Sequence, residues 1–173
     1  MFEISGYKIG EIIYKSEKSS IYRAVRNSDN KKVLIKLQNN EYPTAEELYN
    51  INKEYMFTSK NYGDKVIKVY DIKKYKNSIA MILEDFGARP LSELLKTNKL
   101  DLKKKLFVAV NIADALVQIH KQGVIHKDIN PSNIVWNFET DEIKIIDFGL
   151  SAELINENRY NSNTFEGTCL YIS

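Results

Sequence analysis

His126-Lys127-Asp128-Ile129-Asn130-Pro131-Ser132-Asn133 is the stretch that decides how this 173-residue chain is read. It lies between two short apolar runs, Val124-Ile125 and Ile134-Val135-Trp136, so it is a loop held at both ends. An aspartate and an asparagine five residues apart, on a turn stiffened by Pro131, can aim two oxygen ligands into one small volume. Fourteen residues after Asn133 comes Asp147-Phe148-Gly149, which closes the run Ile143-Lys144-Ile145-Ile146. Gly149 is expected to let the backbone turn sharply there. A carboxylate that can orient a hydroxyl and take its proton, with further oxygen donors for Mg2+, is what phosphoryl transfer requires. Either aspartate alone would be an ordinary loop residue. Both, in this order and context, point to the chemistry.

Working outward, the first half of the chain is strand-rich. Residues 7–37 read as strands with a turn cluster at Asn27-Ser28-Asp29-Asn30, and the order strand, turn, strand predicts an antiparallel meander. Residues 43–60 switch to a helical pattern. Thr44 and Glu47 form a capping box there, and Pro43 sits where it cannot interrupt the helix. Val66–Tyr70 and Ile79–Leu83 are two more strands. After Glu84-Asp85-Phe86-Gly87 the character becomes helical. A short helix is predicted at 91–96. A long one runs from the N-cap Asp101 to the stop at Gly123. Leu102, Leu106, Ala109, Ala113, Leu116 and His120 recur on it at steps of four and three, which predicts that this stripe packs into a core. Short strands follow at 124–125, 134–136 and 143–146, with a hairpin turn near Thr140-Asp141. The tail, 150–173, is polar and irregular.

Hydrophobic residues make up 43% and charged residues 28%, enough for a core in one domain or two small lobes. The 25 basic and 23 acidic residues nearly balance, which gives no argument for nucleic acid as a partner. Cys169 is the single cysteine, so neither an intrachain disulfide nor a cysteine metal cluster can form, which suits a reducing, cytoplasmic setting. No apolar stretch approaches the length needed to cross a bilayer, and the N-terminus does not read as a secretory signal.

These motifs resemble those of the protein kinases. That family has a His-Arg-Asp catalytic loop with an asparagine five residues past the aspartate, followed by Asp-Phe-Gly. Here the matches are His126-Lys127-Asp128, Asn133 and Asp147-Phe148-Gly149, and Val33-Leu34-Ile35-Lys36 matches the family's Val-Ala-Ile-Lys strand. The resemblance implies an α+β, two-lobed protein-kinase-like fold. It has a five-stranded antiparallel sheet plus one helix in the N-lobe (1–83), a hinge (84–87) and an incomplete helical C-lobe (88–173) ending within the activation segment. It also implies a serine/threonine kinase using ATP and Mg2+ on a protein substrate. Asp128 would be the base, with Asn130 beside it. Asn133 and Asp147 would hold the metal, and Lys36 would hold the α- and β-phosphates. Among Glu46, Glu47 and Glu54, Glu47 is committed to capping, and Glu54 is the expected partner of Lys36. Leu83 would guard the back of the adenine pocket, Glu84 and Phe86 would offer backbone groups to the adenine edge, and Ile21, Leu34 and Val135 would sandwich the ring. Gly167-Thr168 would lie against the substrate hydroxyl.

Asn40-Glu41-Tyr42-Pro43, Leu83-Glu84-Asp85-Phe86-Gly87, the segment 123–134, Glu166-Gly167-Thr168 and Tyr171-Ile172-Ser173 look like one group in particular. These are the N-terminal kinase domains of large bacterial signalling proteins, which continue into an ATPase module and a sensor histidine kinase. Further domains of the same polypeptide are therefore expected partners. Small-molecule phosphotransferases of the aminoglycoside or choline kinase type share a His-x-Asp loop, but Asp147-Phe148-Gly149 and the Glu166-Gly167-Thr168 tail speak against them. The pattern also departs from the family. The glycine-rich loop has Tyr14, Ser16 and Ser19 at its glycine positions, where serine hydroxyls could partly substitute as donors to phosphate. Asn130 replaces the usual catalytic-loop lysine. Lys127 replaces arginine and loses the planar fork that grips an activation-loop phosphate. Ser173 falls where the family continues into several helices, so the expectation is a fragment. A regulatory pseudokinase is the alternative.

Overall fold

The computed structural model describes residues 3–97 and 99–153. The tail motifs Glu166-Gly167-Thr168 and Tyr171-Ile172-Ser173 lie outside the described residues. The chain divides into two compact units. One comprises Met1–Tyr55 with Lys68–Phe86, and the other comprises Met56–Ile67 with the chain from Gly87 onward.

The first unit is built on a five-stranded antiparallel sheet in the order β1-β2-β3-β5-β4. Its strands are β1 (Tyr7–Lys15), β2 (Ser19–Arg26), β3 (Lys31–Gln38), β4 (Val69–Tyr75) and β5 (Ser78–Glu84). The turn 27–30 is closed by Asp29. Its carboxylate receives a two-pronged grip from Arg26 at 2.9 and 2.6 Å, which pulls its pKa down to about 2. Asn30 supplies the left-handed residue (φ 56°). Alternation then sorts the side chains. Ala24, Val33, Ile35, Leu37, Ala80 and Ile82 face one way and form the core with Ile4. The helix α1 (Ala45–Thr58) follows β3. The expected capping box is present, with Glu47 N–H donating to Thr44 Oγ1 (3.1 Å) and Thr44 N–H to Glu47 Oε2 (2.7 Å).

The run Val66–Tyr70 is not one strand as predicted. β4 begins at Val69, while Val66 and Ile67 are buried in the second unit. There Ile67 N–H donates to Ile145 O (3.1 Å) and Ile145 N–H to Lys65 O (2.9 Å). An apolar run has no mark that divides it, so only the partners could.

The second unit contains β6 (Arg89–Pro90), α2 (Leu91–Thr97), α3 (Leu102–Lys121), β7 (Val124–Ile125), β8 (Ile134–Asn137), β9 (Glu142–Ile145) and β10 (Ala152–Glu153). β6, β8 and β9 form a three-stranded sheet, and β7 pairs with β10. The Asp101 side chain caps α3 by accepting from Lys104 N–H (2.8 Å), and Gly123 (φ 68°) ends it.

Of the predicted stripe on α3 Leu116 packs against a core, and the rest of the packing face is a different set of residues. Val108, Ala115 and Ile119 are buried, with Phe107, Ile112 and Leu116 packed partly against the same cores. Leu102 and Leu106 are 71% and 57% exposed, and Ala109, Ala113 and His120 are exposed too. The reason is that α3 is apolar around most of its circumference, so two stripes satisfy the helical period equally. Packing chose the other. Ile119→Ala is therefore expected to destabilise the fold by about 2–5 kcal/mol, whereas Leu106→Ala shifts it by less than about 0.5 kcal/mol. Urea unfolding of the two variants checks this, and the reverse ranking would restore the predicted face.

Candidate active site

In the first unit the sheet's second face gathers four of the singled-out residues. β2–β3 register opposes Ile21 to Lys36 and Arg23 to Leu34, while β3–β5 register opposes Leu34 to Leu83 and Lys36 to Met81. Period-two alternation thus sets Ile21, Leu34, Lys36 and Leu83 on one face. Glu54 on α1 reaches Lys36 Nζ at 2.5 Å, with both side chains largely buried (17% and 13% exposed). The glutamate chosen from three by capping and spacing is the one that pairs. Glu84 is buried, and its N–H donates to Lys68 O (3.0 Å) while its carboxylate accepts from Lys68 N–H (2.7 Å). Next to it, Asp85 accepts from Arg23 Nε (3.0 Å), and Arg23 also grips Glu11 (2.8 Å). The chain at Glu84-Asp85-Phe86 is thereby tied to β2. The Ser16 hydroxyl is engaged inside its own turn, donating to Ser19 O (3.2 Å) and accepting from Ser19 N–H (3.1 Å).

In the second unit the loop 126–133 is organised by its own amides. Asn133 Nδ2 donates to Asp128 Oδ2 (2.8 Å) and to Asp128 O (2.9 Å). Asn130 Nδ2 donates to Asp128 Oδ1 (3.1 Å), and Asn130 Oδ1 accepts from Ser132 N–H (2.8 Å). Both carboxylate oxygens of Asp128 are thus oriented by neutral donors, and the Asn130 donor turns onto the aspartate. With its amide nitrogen spent, Asn133 has Oδ1 left to offer a cation. Ile146 N–H donates to Asn133 O (2.9 Å), which ties this loop to the residue preceding Asp147. Val135, on β8, is buried in the same unit.

The chain turns at Gly149 as expected, with Ser151 N–H donating to Phe148 O (3.1 Å) across Gly149 and Leu150, and the left-handed residue of the motif is Asp147. Asp147 has φ 65°, as does Lys127, while Gly149 has no left-handed backbone. Such a conformation costs roughly 1–2 kcal/mol for an L-residue, and the surrounding bonds hold it. A Cβ at 149 would lie 3.2 Å from Asp147 Oδ1, a tight contact, and the Gly149 N–H donates to that same oxygen (3.2 Å). No cluster of three or more His, Cys, Asp or Glu side chains suited to a metal occurs among the described residues. Mg2+ needs only one or two carboxylates beside substrate phosphates and water, so Asp147 with Asn133 is a sufficient protein donor set.

Three supports of these residues carried no sequence signal: Ser151, which holds the motif residue His126, Tyr62, which holds the motif residue Phe148, and Arg23. His126 Nε2 lies 3.1 Å from Ile146 O, while Nδ1 accepts from Asp128 N–H (3.3 Å). A carbonyl only accepts, so Nε2 carries the hydrogen and the ring is neutral. Ser151 Oγ donates to His126 O (3.2 Å). Phe148 meets His126 edge-on (4.7 Å) and stacks on Tyr62 (5.3 Å between centroids). Tyr62 anchors its hydroxyl on Phe57 O (2.8 Å), and burial pushes its pKa up. Arg23, in the first unit, is the third. Each is a common residue type outside any recurring spacing, recognisable only by its contacts.

A loop that braces one aspartate with two asparagine amides, joined to an Asp-Phe-Gly turn, in a chain whose other unit pairs a strand lysine with a helix glutamate, defines the protein kinase class. The sequence profile of the protein kinase domain matches residues 7–173. The chain is 28% identical over 169 residues to a probable serine/threonine-protein kinase of Clostridium acetobutylicum, covering 96% of this chain and 26% of that one. It is 31% identical over 165 residues to MAP3K epsilon protein kinase 1 of Arabidopsis thaliana, covering 94% and 12%. It therefore spans about a quarter or less of the length of these relatives, and it belongs to the protein kinase domain family.

Burial lowers the pKa of His126 below its ordinary 6.5, against the opposing pull of the Ile146 carbonyl and of the Asp147 and Asp128 charges. Above pH 6.5 the ring is neutral folded or unfolded, and its contribution to stability is complete. As pH falls below that, the unfolded ring takes a proton that the folded ring refuses, and stability drops until the folded pKa is passed. The His126 imidazole resonances should accordingly begin to move only below pH 6.5 in an NMR titration, with the urea midpoint falling over the same range. Titration at or above the ordinary value would show that the ring is not held neutral.

Proposed function

We propose that this chain is the nucleotide-binding and catalytic part of an ATP-dependent serine/threonine protein kinase. It would transfer the γ-phosphoryl group to a protein hydroxyl, within a signalling polypeptide that carries further domains. The observation that carries the reading is the brace on Asp128: both carboxylate oxygens are aimed by Asn130 and Asn133, and Asn133 is bonded through its carbonyl to the strand that delivers Asp147. In this reading Asp128 orients the attacking hydroxyl and takes its proton. Asn130 steadies Asp128. Asn133 Oδ1 and the Asp147 carboxylate hold Mg2+, which when bound neutralises charge on the phosphate oxygens. Lys36, kept extended by Glu54, binds the α- and β-phosphates. Ile21, Leu34, Leu83 and Val135 supply apolar contacts to adenine, and the backbone at Glu84 and Phe86 reads its edge. Ser16 and Ser19 belong to the turn that serves the phosphates.

One observation favours a second reading, a pseudokinase that binds nucleotide without turnover. The β1–β2 turn has serines where the family has glycines, and the Ser16 hydroxyl is already engaged within the turn.

Phosphotransfer by the full-length protein separates the two. Asp128→Asn is expected to lower the rate by about 100-fold or more, and Asp147→Ala to abolish Mg2+-dependent ATP binding in a calorimetric titration. Equal rates in wild type and Asp128→Asn would sink the catalytic reading. Unaltered Mg-ATP affinity in Asp147→Ala would sink the metal assignment.

A further inference from the structure

Asn39 follows directly on β3, three residues beyond Lys36. Its backbone N–H donates to Lys18 O (2.9 Å), and its Nδ2 donates to Ser16 O (2.7 Å) and Glu17 O (3.2 Å). Its Oδ1 accepts from the buried Ser20 hydroxyl (2.6 Å). One asparagine thus collects three successive carbonyls of the β1–β2 turn. A trans peptide sets each N–H opposite the carbonyl of the preceding residue. The N–H groups of Glu17, Lys18 and Ser19 therefore face away from Asn39. Ser19 N–H is satisfied by Ser16 Oγ. No described residue accepts from the N–H of Glu17 or Lys18. Two adjacent, outward N–H groups on a fixed turn are suited to an anion.

We propose that Asn39 is a positioning residue for nucleotide phosphates: it fixes the Ser16–Lys18 turn so that the Glu17 and Lys18 N–H groups are presented to phosphate oxygens. This rests on the nucleotide-binding reading above. A glycine loop reaches such a conformation by having no side chains to obstruct it. Here the conformation is imposed from the side by hydrogen bonds, which is why serines are tolerated. Because Asn39 directly follows the strand that carries Lys36, the turn and the lysine are tied to one strand.

Asn39→Asp tests this with little change of shape. It keeps the acceptor for Ser20 but replaces the Nδ2 donor with an oxygen facing two carbonyls. Ser20→Ala is a milder second variant that only frees Oδ1. Three quantities are measured on the full chain: amide hydrogen exchange of residues 16–20, Mg-ATP affinity and adenosine affinity. Asn39→Asp is expected to speed exchange in the turn and weaken Mg-ATP by about tenfold, the equivalent of one or two hydrogen bonds. Adenosine, which has no phosphates, is expected to bind unchanged. Ser20→Ala should move both in the same direction by less. Faster exchange with unchanged Mg-ATP affinity overturns the role of Asn39, as does equal weakening of Mg-ATP and adenosine. A wild type that binds neither ligand overturns the nucleotide reading itself.

Discussion

His126 is a polar ring placed where it cannot easily ionise, and the second unit's functional loop depends on how it is satisfied. Its Nε2–H is committed to the carbonyl of Ile146 and its Nδ1 to the N–H of Asp128. A buried imidazole with one nitrogen unpaired would carry a penalty on the order of 1–3 kcal/mol, so the ring fixes both chain segments or neither. Through Ile146 it sets where Asp147 begins its left-handed turn. Through Asp128 N–H it sets the start of the amide brace. Phe148 then packs against the ring edge and Ser151 bonds its carbonyl, which closes the segment back onto β7 through β10.

The first unit is governed by register instead. Its strands place one alternating set of side chains into the core and the other set, including Ile21, Leu34, Lys36 and Leu83, on the opposite face. A one-residue slip would exchange these sets, so burial of Val33 and Ile35 is what holds Lys36 where Glu54 can reach it. The lysine's position is thus secured by residues whose side chains lie on the opposite face of the sheet. Arg23 and Asn39 extend the same logic to the ends of the sheet. One ties β2 to Asp85, and the other ties β3 to the β1–β2 turn.

Much of this was legible in the residues. The capping box at Thr44 and Glu47, the cap at Asp101 and the stop at Gly123 are local chemistry, complete within a few residues, and the structure contains all three. The pairing of Glu54 with Lys36 could be anticipated because the kinase resemblance calls for a glutamate partner on this helix, capping claimed Glu47 and Glu54 lies mid-helix. Two readings failed for one reason. The Val66–Tyr70 run and the Leu102–His120 stripe are both apolar patterns with more than one burial partner available, and periodicity says that a residue is buried without saying against what. The turn expected at Gly149 is present, whereas the left-handed backbone of Asp147 had no mark in the residues.

The residues alone were enough for most of the longer elements, the helix caps and the motifs that mark a protein kinase domain, since each is decided by neighbours within a few positions along the chain. Only the tertiary structure decided which face of α3 is core, that Tyr62 stacks on Phe148, that His126 is held neutral and that Asn39 grips a turn some twenty residues away. Those are contacts between segments distant in sequence. Their energy comes from satisfying particular buried groups, and no local pattern records which segment will arrive to do so.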